Sequence, residues 1–373
     1  MPRSNRRRRV AYVTGTRAEF GLMCSTLRAI QRHPKLELQL VVTGMHLSRA
    51  HGRTVDGIRK AGWAIDATVP WKGNVAEATG ATTRDLSKAF AKLDPDIVLV
   101  CGDRVEPFAA ATAAHLDGLV VAHVHGGDRA QGQVDDTLRH VITKLAHLHF
   151  PATTASAERI FQLGEDRFRI HRVGTPGLDE IEQFRGSTFA DWPSRQFALV
   201  LLHPDSADER QQRRQAEMVL PALRAEGVEQ FLIVASNNDP GWRGIMAAWE
   251  SAKHLPAPVR KDLPRDDFLR AMAAAAFLIG NSSSGIIEAA SLRTPVINVG
   301  DRQKGRERSA NVVDVPWTTA ALRQAIRNAW NNGRPRIFTG RNVYGGGAAG
   351  EKIAATLGKV PLNDRLRQKL IRY

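Results

Sequence analysis

The sequence predicts an α/β protein made of two doubly wound, Rossmann-like domains. Three observations carry this. Short apolar runs recur along the chain, each followed by a small-residue or polar turn and then by a stretch with helical spacing. Several runs are apolar throughout rather than alternating, the pattern of strands covered on both faces of a parallel sheet. The alternation lapses once, from the turn at 174–177 through a polar bridge to Trp192-Pro193, and then starts again. At 373 residues the chain can hold two cores of ordinary size.

The first strand is 10–14. It follows a basic start, MPRSNRRRRV, in which Arg3 and Arg6 to Arg9 read as a frayed arm. The apolar stretch is short and runs directly into Thr14-Gly15-Thr16-Arg17, so it reads as a strand rather than a signal peptide. A helix follows to Pro34. Then come strand 38–43, helix 54–61, strand 63–69, helix 77–93, strand 96–101, helix 107–117 and strand 119–123. A helix starting near Asp135, strand 148–151, helix 156–163 and strand 168–173 complete a first domain, 1–180. The second domain, 190–350, repeats the pattern. Its elements are strand 197–202, a charged helix 209–226, strand 231–235, helix 242–251 and a short strand ending near Val259. Helix 266–275, strand 277–279, a further helix, strand 295–299 and helix 318–332 follow. Helices at 350–357 and 363–371 make a C-terminal segment, 351–373, expected to pack back on the first domain. Two such domains facing a cleft are the glycosyltransferase-B arrangement of nucleotide-sugar enzymes.

Composition narrows the classes. A 43% hydrophobic content with mixed charge is that of a globular chain, and no run of 18 apolar residues is present, so no membrane span is expected. Cys24 and Cys101 are far apart and lack metal-ligand spacing, which favours a reduced, cytoplasmic protein without a bound metal. The net charge of +15 invites a nucleic-acid reading. The basic residues are scattered, however, and no DNA- or RNA-binding signature accompanies them, so no nucleic-acid partner is expected.

Chemistry concentrates at strand ends, where open α/β sheets bind ligands. The stretch 277–308 opens as a strand, passes through Gly280, Asn281, Ser282, Ser283, Ser284 and Gly285, and turns into a helix. Small residues with free N–H groups at a helix start suit a phosphate. Glu288, about one turn in, suits ribose hydroxyls, and Arg302, Lys304, Arg306 and Arg308 add cations; the plain alternative is a serine N-cap with a surface glutamate. Arg17 lies where the first strand gives way to its helix. Asp103 and Arg104 end another strand. His123, His125 and Asp128 end the next, and Asp135, Asp136, Arg139, His140 and Lys144 follow. On a helix from Asp135, positions 136, 139/140 and 143/144 share one face, so Asp136, Arg139, His140 and Lys144 form one polar stripe, unless this is a capping pair beside a solvated face.

The stretches VTGTRAEFG, GDRVEP, HVHGGD, DDTLRHVITKLAH, LLHP and GNSSSGIIEAASLRTPVINVGDRQKGRE together resemble the hydrolysing UDP-N-acetylglucosamine 2-epimerases, in matching order from about residue 10 to 310. The resemblance implies conversion of UDP-GlcNAc, or a related UDP-2-acetamido sugar, to UDP and the 2-epimeric free sugar, by elimination of UDP to a glycal and hydration with inversion at C2. It implies no cofactor or metal, and a homodimer or homotetramer. By the same resemblance UDP falls to Arg17, His203, Asn237, Ser282, Ser283, Gly285, Glu288, Arg302 and Arg306, with the main chain near Val259 at the uracil. Asp103, Asp128 and Asp135 or Asp136 become acid/base candidates, with Arg104 and Arg139 beside them. Two departures stand out. His125 occupies a position where some related epimerases carry Glu, where its imidazole is a candidate proton shuttle, and Asp205 follows His203-Pro204 where an apolar residue is usual. A non-hydrolysing epimerase giving UDP-ManNAc, an enzyme of amino-sugar natural-product assembly and a non-catalytic binder are the competing readings.

Overall fold

The computed structural model describes residues 6–49, 52–129, 134–190, 192–236, 239–252, 259–260 and 263–370, with the side chains of Val134 and Asp135 outside that description. The chain forms two compact units. Unit 1 is Met1–Glu180 with Gly347–Tyr373, and unit 2 is Ile181–Gly346.

In unit 1 the strands are β1 (Arg8–Thr14), β2 (Leu36–Val42), β3 (Ala67–Thr68), β4 (Ile97–Cys101), β5 (Val120–Val124) and β6 (Leu148–Phe150). Between and after them run α1 (Arg17–Arg32), α2 (Val55–Lys60), α3 (Val75–Leu93), α4 (Val105–Leu116), α5 (Val134–Leu145) and α6 (Thr154–Gln162). All strand pairs are parallel, in the order β3-β2-β1-β4-β5-β6. Strand order therefore reverses between β1 and β4, which is where such sheets leave a crevice at their C-terminal ends. The strands are buried on both faces. Val10 and Tyr12 pack with Met23, Leu27 and Ile30 of α1, and Ala11 and Val13 pack with Phe90 of α3 and the alanines of α4.

Unit 2 repeats this order. Its strands are β7 (Ala198–Leu201), β8 (Phe231–Val234), β9 (Val259–Arg260), β10 (Phe277–Gly280), β11 (Val296–Val299) and β12 (Val312–Val315). They lie parallel as β12-β11-β10-β7-β8-β9, so the reversal falls between β7 and β10. The helices are α7 (Glu209–Glu217), α8 (Val219–Ala225), α9 (Trp242–Ser251), α10 (Arg265–Ala274), α11 (Ser283–Ile287) and α12 (Thr319–Trp330). The chain then returns to unit 1 as α13 (Ala349–Lys359) and α14 (Asp364–Arg367), and Ile353 and Leu357 join the core beside α1. No helix among the described residues is long and apolar enough to cross a membrane.

Several elements differ from the sequence reading, each for a local reason. The expected helix 209–226 is two helices that meet at Met218. Pro221 cannot donate to Glu217 and its ring crowds that carbonyl, so the first helix stops there. The expected strand 63–69 shrinks to two paired residues, because Trp63 turns into the core to meet the Phe20 ring edge-on at 5.7 Å. The expected strand 168–173 is a 3₁₀ turn at Arg167–Arg169 followed by one bridge, His149 to Ile170. That turn buries Arg169, whose guanidinium donates to the carbonyls of Arg365 (2.9 Å) and Gln368 (2.7 Å). The strand β12 escaped the sequence reading, since its VVDV run is a short edge strand with Val313 exposed. Finally, Arg6 to Arg9 are not a frayed arm. Arg8 and Arg9 lie in β1, Arg8 donates to Val360 O at 3.0 Å past the end of α13, Arg9 donates to Leu93 O at 2.7 Å, and Arg6 pairs with Asp96 at 3.2 Å. Much of the basic N-terminus is spent on capping helices.

Candidate functional site

The two reversal points carry most of the polar chemistry, and they differ in charge. In unit 1 the loop after β1 begins with Thr14, whose hydroxyl donates to Glu19 Oε2 at 2.8 Å and lies 3.0 Å from His46 Nε2. Thr16 caps α1, and Arg17 is its exposed first residue. Glu19 Oε2 also accepts from Gly15 N at 3.3 Å. Burial pushes the Glu19 carboxyl well above the usual carboxylate range, and the charge of Glu106 adds to this. Glu106 was not singled out from the sequence. It is 2% exposed and wedged against two glycines: a Cβ at Gly15 would stand 2.7 Å from Glu106 Cβ, and one at Gly44 (φ +62) would stand 2.7 Å from its Oε1. Arg104 Nε pairs with Glu106 Oε2 at 3.2 Å, which holds the guanidinium over the start of α4. The GTRAE and GDRVE stretches each hinted at these glutamates, which stand two residues past their arginines, but an acidic residue early in a helix also reads as ordinary capping.

Asp103 follows β4 and forms an ion pair with Arg139 of α5, itself 4% exposed. Arg139 also faces Asp136 at 3.5 Å, and His140 faces Asp136 at 3.6 Å. Two carboxylates thus share one buried guanidinium at the end of β4. Lys144 leaves the expected stripe. Its ammonium turns to Glu165 at 2.8 Å, since α5 ends one residue later and presents that face to α6 and the C-terminal tail. The side chain of Asp135 lies outside the described residues.

After β5 the backbone of His125 takes a left-handed conformation (φ +64). Its ring bridges Asp128 Oδ2 and Thr175 Oγ1, both at 2.9 Å, while Ser156 donates to Asp128 Oδ1 at 2.8 Å. Both Asp128 oxygens are therefore held. Both ring nitrogens of His125, the candidate proton shuttle, are engaged in these bonds, which hold Asp128 and the loop. His123 stands behind, between Gly102 O (2.8 Å) and Thr143 Oγ1 (3.3 Å), and burial lowers it to about 3, so it is neutral at pH 7.

In unit 2 the β7 and β10 loops are stitched by Asn281, another residue that went unassigned. Its side-chain oxygen accepts from His203 N at 2.7 Å and its amide donates to His203 O at 2.8 Å. Its own carbonyl accepts from Arg302 Nη1 at 3.3 Å and Gln303 Nε2 at 2.9 Å, which ties the loop after β11 to the same point. A Cβ on Gly280 would collide with the Leu201 carbonyl, so only glycine lets these strands close here. Ser282 caps α11 through Ser284 N at 3.3 Å, Ser283 begins the helix, and a Cβ on Gly285 would press on Val296 and Leu278. The helix is only five residues long, so Glu288 is its C-cap rather than an early-turn residue. Glu288 is buried and pairs with Arg265 at 2.7 Å.

Arg302 pairs with the exposed Asp239 at 3.5 Å. Burial lowers the Arg302 guanidinium, Asp239 and Asp205 favour its charge, and Arg306 works with burial against it. His203 is held at about 4, first by burial and then by Arg302, so its ring is neutral at pH 7. Asp205 is exposed and accepts from Gln212 at 2.7 Å, turned toward a cavity of about 420 Å³ that also borders Gln211, Asp301 and Trp317. The second departure is therefore a surface carboxylate beside the cationic loop. Val259 begins β9 at the sheet edge, half-buried, and Asn237 lies outside the described residues.

Known proteins share the family and the fold of this chain. The family model described as UDP-N-acetylglucosamine 2-epimerase matches residues 28–358. The chain is 37% identical over 380 aligned residues, covering 98% of it and 100% of the relative, to the UDP-N,N'-diacetylbacillosamine 2-epimerase (hydrolyzing) of Legionella pneumophila. It is 31% identical to a UDP-N-acetylglucosamine 2-epimerase of Neisseria meningitidis, covering 91% of each chain. Among solved structures, one titled as a putative UDP-N-acetylglucosamine 2-epimerase from Listeria monocytogenes superposes with a TM-score of 0.80 at 19% identity, over 95% of this chain and 96% of that one. The N. meningitidis UDP-GlcNAc 2-epimerase bound to UDP-GlcNAc gives 0.77 at 18%, over 94% and 100%. The chain belongs to the UDP-N-acetylglucosamine 2-epimerase family, in its hydrolysing branch.

Proposed function

We propose that this chain converts a UDP-2-acetamido sugar and water to UDP and the free 2-epimer. A base takes the C2 proton, the C1–O bond to UDP breaks on the opposite face, and a 2-acetamidoglucal forms. Water then adds, its hydroxyl to C1 and a proton to the other face of C2. Asp103 and Asp136, with Asp135 as alternate, serve as the acid/base pair. The observation that carries this is their shared, buried Arg139. The guanidinium holds both carboxylates at one point, so that one can take a proton and the other return one at the same carbon. Asp128 is the more constrained third candidate. The diphosphate falls to His203, Ser282, Ser283, Arg302 and Arg306, with Arg17 as a further cation; Arg302, whose carboxylate partner Asp239 is exposed, supports this. Glu288, Gly285, Asn237 and Val259 are assigned to the nucleoside end. The full-length likeness to the L. pneumophila enzyme favours a 2,4-diacetamido sugar over plain UDP-GlcNAc.

Proton NMR in deuterated water, with UDP-GlcNAc and UDP-N,N'-diacetylbacillosamine in parallel, tests the reading. UDP plus a free sugar deuterated at C2 is expected, with faster turnover of the diacetamido substrate. A UDP-linked 2-epimer as the end product would overturn the hydrolytic assignment.

A further inference from the structure

The last turn of α5 is served by residues from outside that helix. Its orphan carbonyls need donors. Lys369, beyond α14, donates its ammonium to Lys144 O at 2.7 Å, to Thr143 O at 3.4 Å and to Ala146 O. His115 Nδ1 meets the remaining carbonyl, Leu145 O, at 3.0 Å. The counter-charge is Glu165, 2% exposed, whose oxygens meet Lys369 at 2.9 and 3.0 Å, Lys144 at 2.8 Å and His149 at 3.1 Å. Arg169 anchors the tail by donating to Arg365 O and Gln368 O, so Lys369 is delivered from a fixed point.

The clamp sits on the helix that carries Arg139 and Asp136. One turn back from the clamped end, Thr143 donates to Arg139 O at 2.9 Å and faces His123, which reaches Gly102 O beside Asp103. A slide or twist of α5 therefore moves Arg139 against Asp103. We infer that Lys369, with Glu165 as its counter-charge, is a positioning residue for the Asp103–Arg139–Asp136 group in the reaction proposed above, on which reading this role rests. A cation at a helix C-terminus is also favoured by the helix dipole. A cavity of about 360 Å³ opens beside it, lined by His115, Lys144, Arg367 and Lys369, so water can hydrate the carbonyls when the ammonium is removed. Loss of the clamp then loosens α5 rather than unfolding the unit.

The test compares Lys369→Met and Lys369→Arg in the full chain. Lys369→Met is expected to lower kcat by about 10- to 100-fold, the scale of a small misplacement of a catalytic group, with the dissociation constant for UDP within about twofold of wild type. Lys369→Arg, which keeps a cationic donor, should recover most of that loss. Hydrogen exchange should quicken in α5 of Lys369→Met and stay unchanged in unit 2. Should Lys369→Met fail to fold, Lys369→Gln carries the same expectations. Unaltered kcat in the methionine or glutamine variant, or unaltered exchange in α5, overturns the inference. A wild type that turns over no UDP sugar overturns the reading of the reaction instead, and the exchange result still decides whether the clamp exists.

Discussion

The two reversal points are built on the same strand order yet pair their charges differently. In unit 1 the ionisable groups answer one another: Asp103 and Asp136 with Arg139, Arg104 with Glu106, Asp128 with His125. In unit 2 Arg302 meets an exposed carboxylate, Asp239, at 3.5 Å, with Arg306 and Asp205 also acting on it, and His203 is neutral beside them. Carboxylates paired with a buried guanidinium suit proton transfer, since the groups are oriented before anything binds. An arginine whose carboxylate partner is exposed can exchange that partner for an anion that arrives with a ligand. Under the proposed function, the first arrangement serves chemistry and the second serves binding.

The largest test of that division is Asp103→Asn. It should cut turnover by about 10²- to 10⁴-fold, the usual worth of a general acid or base, and leave UDP affinity unchanged. Equal losses in both measurements would erase the distinction between the halves. The mirror experiment is Arg302→Ala. Losing a charged hydrogen-bonding partner costs about 1.5–3 kcal/mol, so UDP affinity should fall about 10- to 100-fold, read by calorimetry, and kcat at saturation should hardly move. Weakened kcat with intact UDP binding would assign Arg302 to chemistry.

Acid separates the halves more gently. Burial holds His46, His123, His147 and His149 of unit 1 at about 4, 3, 3 and 4, whereas in unit 2 only His203 among the described residues is so lowered, to about 4. An unfolded histidine titrates near 6.5. Between about pH 6.5 and 4 the unfolded state therefore binds more protons than the folded one. This stability is fully present above pH 6.5 and is lost as the pH falls. Glu165, held at about 2 despite its burial by His149, Lys369 and Lys144, extends the loss in unit 1 to still lower pH. Hydrogen exchange at pH 7 and pH 5 should show β4, β5 and β6 opening with acid before β7 and β10. Unit 2 opening first would break the comparison.

Much of the fold was legible, because strands buried on both faces write continuous apolar runs, as in Ile97–Cys101 and Phe277–Gly280. What failed were places where one side chain overrules the run: Trp63 turning inward, Pro221 splitting a helix, Arg169 bending a strand into a turn. The site was half legible. Asp136 and Arg139 lie at helical spacing, the family resemblance adds Asp103, and the structure joins the three. Glu106, Asn281 and Lys369 were not legible, since each acts on a loop or helix distant in sequence and looks like an ordinary exposed polar residue until the chain is folded. Glu288 was placed an early turn into a helix that ends before it, because hydrophobic spacing cannot show that α11 stops after one turn.

The smallest expected effect concerns Asp205, the departure that places a carboxylate beside the cationic loop. Were it buried against Arg302, it would compete with a bound phosphate and its removal would tighten UDP binding strongly. It is instead exposed and bonded to Gln212 at 2.7 Å, and it is the weakest of the charges acting on Arg302. Exposed charge pairs are worth little and are screened by salt. Asp205→Asn should therefore strengthen UDP binding by no more than about threefold at low salt, and the gain should vanish in about 0.5 M sodium chloride, where the screening length is only a few ångströms. A tenfold gain that survives high salt would mean that Asp205 turns into the loop and partly neutralises it. Arg302 would then hold two carboxylates, as Arg139 does in unit 1, and the contrast between the units would narrow to the exposure of Asp239.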